Sequence, residues 1–466
     1  AQLVVSSQVA ALIDKVTSKE APPTPSSFTA DERDALDVLA ANGFLVQDHA
    51  EDRDNLRRHF GALMSDTSEL NITILTTLQC NFACDYCYQG DRDDFNKFAE
   101  KMSPETAAQV AEWIERELNR VHPETLAVTF FGGEPLLNLP VVYALSERLS
   151  LAARTRQIAI TISVITNGLL LTDEVVDRLL PFGLTSVKVT LDGDRTTHDR
   201  LRPLRGGQGT FDRIIENVRR IAGKVRVGIG GNFDESSVES FPALLEFLKN
   251  QPFANQLVKV NFKPIIRTPE PASPARVLPL VPVAADGTPL KPLGGTCMTA
   301  AGAGGTSTCD TCNFAEDQMI HLREETRRVG FRTPDGVHMG PCHVHMKHAH
   351  TIGPDGSLYA CPGFTGEKAQ SVGHIDDRND PLRASASRAF DRLSPWDACG
   401  DCAFIPVCAG GCVVASHSTL GDMNTPTCHK RSFESAVVSL AHRAAREADS
   451  GVDNEDHCHQ IGRAHV

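Results

Sequence analysis

Cys80-Asn81-Phe82-Ala83-Cys84-Asp85-Tyr86-Cys87 sets three thiols on one short stretch of chain. The run before it, Leu70–Leu78, is rich in β-branched residues and reads as a strand, so the thiols lie on the loop that leaves that strand. Three thiolates this close can grip three corners of a cubane iron–sulfur cluster and leave the fourth iron without a protein ligand. An iron with an open position can bind and reduce a small molecule, whereas a cluster held by four Cys mainly carries electrons. Taken alone, the three residues also fit a zinc knuckle, a disulfide pair or buried thiols.

Downstream, short β-rich runs alternate with helical patterns. Strand-like runs follow at Leu126–Phe131, Ile158–Ile165, Ser186–Leu191, Val225–Gly230 and Leu257–Phe262. Between the first two strands a helix is predicted, with Ser103 as N-cap, Pro104 at its first position and apolar Ala107, Val110, Ala111, Ile114 and Leu118 at helical spacing. Asp173–Leu180, Phe211–Ala222 and Phe241–Leu248 read as helices as well. Repeated strand–helix units imply a parallel sheet, because parallel strands need a crossover between them. Six units make an α/β fold of the partial (β/α)6, TIM-like barrel type. In such barrels reactive groups lie on loops after the C-terminal ends of the strands. Here Cys80–Cys87 follow the first strand, Gly132-Gly133-Glu134-Pro135 the second, Thr166-Asn167-Gly168 the third and Asp192-Gly193 the fourth.

At 466 residues, with 41% hydrophobic and 23% charged residues, the chain is long enough for two or three domains. A net charge of −13 argues against a general nucleic-acid binder. There is no apolar run long enough to span a bilayer and no secretory signal, so no membrane partner is expected. Fourteen Cys without an export signal point to metal or redox chemistry in a reducing cytoplasm. The first residue is Ala, so the start is expected to be processed or missing, and residues 460–466 resemble the translation of a sequencing adapter and are given no functional weight.

The three-then-two spacing of the Cys, with an aromatic before the last, resembles the radical S-adenosylmethionine (SAM) enzymes. The resemblance implies a SAM-binding [4Fe-4S] cluster on Cys80, Cys84 and Cys87, with SAM chelated at the open iron and cleaved by one electron to a 5′-deoxyadenosyl radical. It also implies that Gly132, Gly133, Glu134 and Pro135 bind the amino group of SAM, an ammonium that needs acceptors and a main chain free to approach it. Ser163 and Asp192 become candidates for the ribose hydroxyls, and Arg202 either meets the SAM carboxylate or is structural. Asn167 is expected to shape its turn. No Walker-type loop or serine-hydrolase elbow competes.

A second array lies in the last third. Cys342 is followed after thirteen residues by Gly356, then after four by Cys361; next come Cys399-x2-Cys402-x5-Cys408-x3-Cys412 and finally Cys428. This order resembles the SPASM extension of radical SAM enzymes, which holds two auxiliary four-iron clusters. By that resemblance Cys399, Cys402, Cys408 and Cys428 hold the outer cluster, and Cys342, Cys361 and Cys412 the inner. The inner one keeps an open iron or borrows Cys297, Cys309 or Cys312. The His-rich run from Cys342 to His350 is either a further source of ligands or a polar surface loop. Cys458 reads as incidental.

The organisation expected is therefore an N-terminal module (1–68), a radical SAM core (69–266), a Pro/Gly-rich linker or insertion with a helix (267–340), a SPASM domain (341–430), and a C-terminal helix and tail (431–466). In the module, Thr29 and Glu32 form a capping box for a helix that closes at Asn42-Gly43. The module is either a leader-peptide recognition domain, as in some peptide-modifying relatives, or helices packed on the barrel. The leading expectation is an enzyme that matures a ribosomally made peptide by thioether or carbon–carbon cross-linking or by epimerisation, fed by a reducing donor such as flavodoxin or ferredoxin. The alternatives are an anaerobic sulfatase-maturating, formylglycine-forming enzyme and a non-catalytic iron–sulfur electron carrier. Sulfatase-maturating relatives place an Asp after the Cys corresponding to Cys361, where this chain has Pro362.

Overall fold

The computed structural model describes residues 7–17, 27–41, 45, 48–87, 89, 99–265, 310–334, 340–376, 387, 389–428, 430, 433–434, 436–438 and 440–442. Cys297, Cys309, Cys458, Asn42-Gly43 and most of the linker and C-terminal tail lie outside them. Cys312 falls in a helix whose first turns have no described side chains.

Six strands form where the alternation predicted them: β1 (Glu69–Leu75), β2 (Thr125–Phe131), β3 (Ala159–Thr166), β4 (Leu184–Thr190), β5 (Arg226–Phe233) and β6 (Leu257–Pro264). They pair in parallel in chain order, and β6 does not close on β1, so the barrel is open. β1 stops short of the expected Leu78 because the chain beyond Leu75 bonds elsewhere. Thr76 O accepts from Met102 N and Leu78 N donates to Glu100 O, both at 2.9 Å.

Helices α4 (Pro104–Val121), α5 (Leu139–Thr155), α6 (Asp173–Leu179), α7 (Arg195–Leu201), α8 (Phe211–Ile221) and α9 (Phe241–Lys249) provide the crossovers. Ser103 caps α4 through its hydroxyl, which accepts from Thr106 N at 3.1 Å. The predicted stripe Ala107, Val110, Ala111, Ile114 and Leu118 is buried, joined by Trp113 and Val121. The core lies between this helical layer and the outward residues of the strands, Ile72 and Ile74, Val128 and Phe130, Val187 and Val189 among them. Burying each such side chain stabilises by about 1.5–3 kcal/mol.

The C-terminal region does not stand apart from this sheet. β7 (Ala349–Ile352) pairs in parallel with β1, Asn71 to Ile74 opposite Ala349 to Ile352, and β8 (Ser357–Tyr359) and β9 (Gly373–His374) continue antiparallel. The His-rich run is thus no surface loop throughout. His345 is 9% exposed, and His350, in β7, meets Trp113 edge-on at 5.2 Å. Helix α10 (Asp310–Arg328), within the stretch 267–340 expected to hold a linker or insertion and a helix, packs on β6 and α9.

At the N-terminus α1 (Ser7–Thr17) and α2 (Ala30–Ala41) pack together, and the capping box forms: Thr29 N donates to Glu32 Oε2 at 2.7 Å and Glu32 N to Thr29 Oγ1 at 3.2 Å. The third helix, α3 (His49–Met64), joins the far end of the chain. Phe60 meets Trp396 edge-on at 5.0 Å, within a small core that also touches Cys399 and Cys402.

Candidate functional site

The loops after β1 to β4 meet at one rim. Gly133 N donates to Thr77 O at 3.1 Å and Glu134 N to Gln79 O at 2.8 Å, tying the second loop to the first. That contact needs glycine: a Cβ on Gly133 would stand 2.2 Å from Gln79 O, and Gly132 has φ +123° with Thr77 O 2.5 Å from its Cβ position. The Cys loop is held from the other side by the chain after α7. Ala83 N donates to Pro203 O, Arg205 N to Asn81 O and Arg205 Nε to Cys80 O, all near 3 Å. Burial pushes the thiol of Cys80 up to about 12 and that of Cys84 up to about 11, the nearby Arg202 working against the rise. Cys80 and Cys84 are therefore neutral thiols in the loop by itself, and coordination to a metal is what deprotonates them.

Glu134 is wholly buried, and its carboxylate accepts from Thr166 Oγ1 at 2.8 Å, Asn167 N at 2.8 Å and Leu136 N at 3.1 Å. Burial raises its pKa despite these three donors. Asn167 shapes the turn, its Oδ1 accepting from Leu169 N at 3.0 Å, while its Nδ2 donates to Asn81 Oδ1 at 2.7 Å. Ser163 lies within β3, not at its end, and its hydroxyl pairs with that of Thr129 on β2 at 2.9 Å.

Asp192 is also fully buried, at the centre of a network. Tyr86, two residues beyond Cys84, donates its phenol to Asp192 Oδ2; Arg202 Nη1 reaches the same oxygen at 3.4 Å and Tyr86 Oη at 2.6 Å; Asn232 N donates to Asp192 Oδ1 at 2.7 Å. Burial pushes the phenol of Tyr86 up, and the Asp192 carboxylate adds to the rise. Burial opposes the charge on Arg202, but the Tyr86 oxygen and the Asp192 carboxylate facing it favour the protonated guanidinium. Its Nε is buried without a hydrogen-bond partner among the described residues. His198 Nδ1 accepts from Asp192 N at 3.1 Å, which puts the ring proton on Nε2, 3.1 Å from Thr210 Oγ1. Burial holds His198 well below the ordinary histidine range, in keeping with a neutral ring.

The C-terminal cysteines fall into two neighbourhoods. Burial pushes Cys361 up to about 12, with Cys342 and Cys412 close enough to add to the rise, and pushes Cys342 up to about 11, with Cys412 adding. Cys399 and Cys408 are raised by burial and by each other's neighbours, Cys402 and Cys428. Among the described residues no three His, Cys, Asp or Glu side chains are gathered as for a single metal ion. A cubane cluster asks for a wider arrangement, each thiolate on its own iron.

Residues 74–248 match the radical SAM superfamily. The chain carries a radical SAM domain. The superfamily is one of enzymes, and the curated relatives that match this chain include named synthases and maturation proteins. The Fe-coproporphyrin III synthase of Methanosarcina barkeri is 28% identical over 178 residues, 38% of this chain and 40% of that protein. The sporulation killing factor maturation protein SkfB of Bacillus subtilis is 24% identical over 193 residues, 41% of this chain and 42% of that protein. The match spans only about two fifths of the length of these relatives. The solved structure of native anSMEcpe with bound AdoMet, 16% identical, superposes with a TM-score of 0.57 over 82% of this chain and 100% of that one, a likeness of fold.

The radical SAM site fits its cofactors in three respects. Three soft donors share one loop, a glycine cradle stands beside it with a buried carboxylate, and a buried guanidinium keeps a donor in reserve. Residues that the sequence did not single out as site residues are Tyr86, Asn81, Thr166 and Asn232. Their signal was position: each is a polar or aromatic residue in or beside a motif loop, or at the inward end of a strand.

Proposed function

We propose that this chain is a radical SAM enzyme that modifies a ribosomally made peptide, by thioether or carbon–carbon cross-linking or by epimerisation. The observation that carries the reading is the gathering of Cys80, Cys84 and Cys87 with Glu134, Asp192 and Arg202 on one rim, together with two further cysteine groups in the C-terminal region. Cys80, Cys84 and Cys87 would hold the SAM cluster. Cys342, Cys361 and Cys412 would hold one auxiliary [4Fe-4S] cluster, and Cys399, Cys402, Cys408 and Cys428 another. When bound, cluster and SAM supply one-electron reductive cleavage and a carbon radical able to take hydrogen from an unactivated carbon.

The chain's own residues place these groups. Glu134, sealed from water, would accept the SAM ammonium; the Nε of Arg202, which no described residue engages, would meet its carboxylate; Asp192, fixed by Asn232 N, would orient Tyr86 and Arg202 beside Cys84. A flavodoxin- or ferredoxin-type donor would supply the electron.

The test is anaerobic co-expression with a candidate peptide, followed by intact mass in water and in D2O. Loss of two hydrogens per site, absent with Cys84→Ala, supports cross-linking; one deuterium gained at carbon supports epimerisation. If the peptide is unchanged but a sulfatase Cys or Ser becomes formylglycine, the sulfatase-maturating reading replaces this one. Equal 5′-deoxyadenosine release from wild type and Cys84→Ala would sink the radical reading and leave an electron carrier.

A further inference from the structure

The inner face of an α/β barrel is ordinarily packed with branched apolar residues. Here it is polar: Asn71 and Thr73 on β1, Thr129 on β2, Ser163 on β3, and then three lysines, Lys188 on β4 and Lys259 and Lys263 on β6. Alternation fixes their direction, since Val187, Val189, Val260 and Phe262 on the same strands are in the outer core. Lys188 stands opposite Gly228 of β5, and Gly228 opposite Lys259, so a residue without a side chain separates two lysines. A Cβ on Gly230 would lie 2.7 Å from Lys188 Cε, so glycine there makes room for the lysine's stem. Lys263 pairs in register with Asn232, which holds Asp192, and on its other side it feels Cys412 and Arg323.

No carboxylate of the described residues answers these charges. What surrounds Lys188 is burial, then Lys263 and Lys259; what surrounds Lys259 is burial, then Lys263. Lys188 is brought down to about 8 on these grounds. Lys188 and Lys259 are half-buried and Lys263 is exposed. A chain with a net charge of −13 has thus set side by side, on the inward face of its barrel strands, cations that no described carboxylate answers. Their repulsion opposes folding, and a bound anion would remove it.

We infer that the inner face of β4 to β6 is a carboxylate-binding subsite, where Lys188, Lys259 and Lys263 hold an acidic group of the substrate between the Cys80–Cys87 rim and the Cys342, Cys361 and Cys412 group. The inference rests on the peptide-modifying reading and narrows it to peptides with Asp or Glu near the modified residue. The carboxylate of SAM is the competing source of such an anion, but Arg202 beside Cys84 has an Nε that no described residue engages.

The test is lysine footprinting of the reconstituted holoenzyme under anaerobic conditions. A brief pulse of an amine-acylating reagent is followed by peptide mass spectrometry at each lysine, without addition or with glutarate, glutaramide or SAM. Exposed Lys101 serves as internal control. Glutarate is expected to slow acylation of Lys188, Lys259 and Lys263 while glutaramide and SAM do not. Lys188→Gln and Lys263→Gln should each weaken glutarate binding about tenfold, the loss of one charge-assisted hydrogen bond. Equal protection by SAM alone would assign the lysines to the cosubstrate, and no protection by glutarate would remove the subsite; either overturns the inference. The readout needs no turnover, so its failure is separate from that of the peptide-modifying reading, which the 5′-deoxyadenosine and peptide-mass assays decide.

Discussion

Gly133→Ala tests the joint between the cysteine loop and the glycine motif. The added methyl would stand 2.2 Å from Gln79 O and 2.6 Å from both Gln79 C and Leu78 O, all main-chain atoms that no side-chain rotation can clear. Relief requires the loop to retreat by close to 1 Å, which strains or breaks the bonds from Gly133 N to Thr77 O and from Glu134 N to Gln79 O. Overpacking costs about 1–3 kcal/mol and each lost hydrogen bond about 1 kcal/mol, so the substitution should cost about 2–4 kcal/mol. In a domain of this size that is a fall in Tm of roughly 5–15 °C. Cys80 follows Gln79 directly, and a 1 Å misplacement at a reacting centre costs about 100-fold in rate. Thermal melts, iron per chain and 5′-deoxyadenosine release measure the three consequences. Gly61→Ala, in α3 with nothing within 4 Å of its Cβ position, is the control and should stabilise by about 0.5–1 kcal/mol. Wild-type Tm, iron content and release rate in Gly133→Ala would refute the argument that this backbone contact positions the cysteine loop.

Tyr86→Phe removes the acceptor 2.6 Å from Arg202 Nη1 and leaves a buried charge short of a partner, a cost of about 1–3 kcal/mol; an unchanged denaturation midpoint would show that the network contributes no stability. Phe60→Ala should cost about 3–5 kcal/mol and lower iron content, because Phe60 packs in the core that carries Cys399 and Cys402; full iron retention would separate α3 from cluster stability. Burial brings His345 down to about 4, so the folded state resists its protonation. Stability from this group is present above the unfolded pKa near 6.5 and is lost as pH falls from there towards 4, by an amount on the order of 3 kcal/mol. His345→Gln should therefore lose less stability than wild type over that interval, and parallel pH profiles of the two proteins would contradict the assignment.

The barrel was legible because its signals are local. Alternating β-branched runs separated by Ser103-Pro104 or Thr172-Asp173 starts give strands and helices directly, and glycine-rich loops mark where the strands end. The Tyr86–Asp192–Arg202 network was not legible, since it joins residues about a hundred positions apart whose types are common on any surface. The lysines were hidden for another reason. A Lys among Val and Thr in a strand reads as an outward residue of a half-exposed sheet, and only closure of the strands into a barrel turns that face inward. The attachment of α3 was missed because its exposed face is densely charged, and the apolar Phe60 that anchors it is matched by residues over three hundred positions later.

The spacing of the second cysteine array also acquires a physical meaning. Cys342 and Cys361 stand at the two ends of a hairpin, β7 and β8, whose antiparallel pairing of Thr351 with Tyr359 returns the chain to its starting point. Gly356 sits at the turn with φ +87°, where a Cβ would lie 2.8 Å from Ile375 Cδ1; a left-handed residue is needed there and no side chain fits. The hairpin is not free to drift, because β7 is laddered to β1, and β1 leads directly into the Cys80 loop. A one-residue slip of β7 on β1 would turn His350 away from Trp113 and Thr351 away from the barrel interior, so the register is fixed by packing on both faces. Cys80, Cys342 and Cys361 are therefore all carried by one sheet. The separation between the two cysteine groups is set by β1 and β7 pairing, and the lysine-lined interior lies on the same rigid frame. A substrate held at the proposed subsite would sit on the sheet that carries both groups.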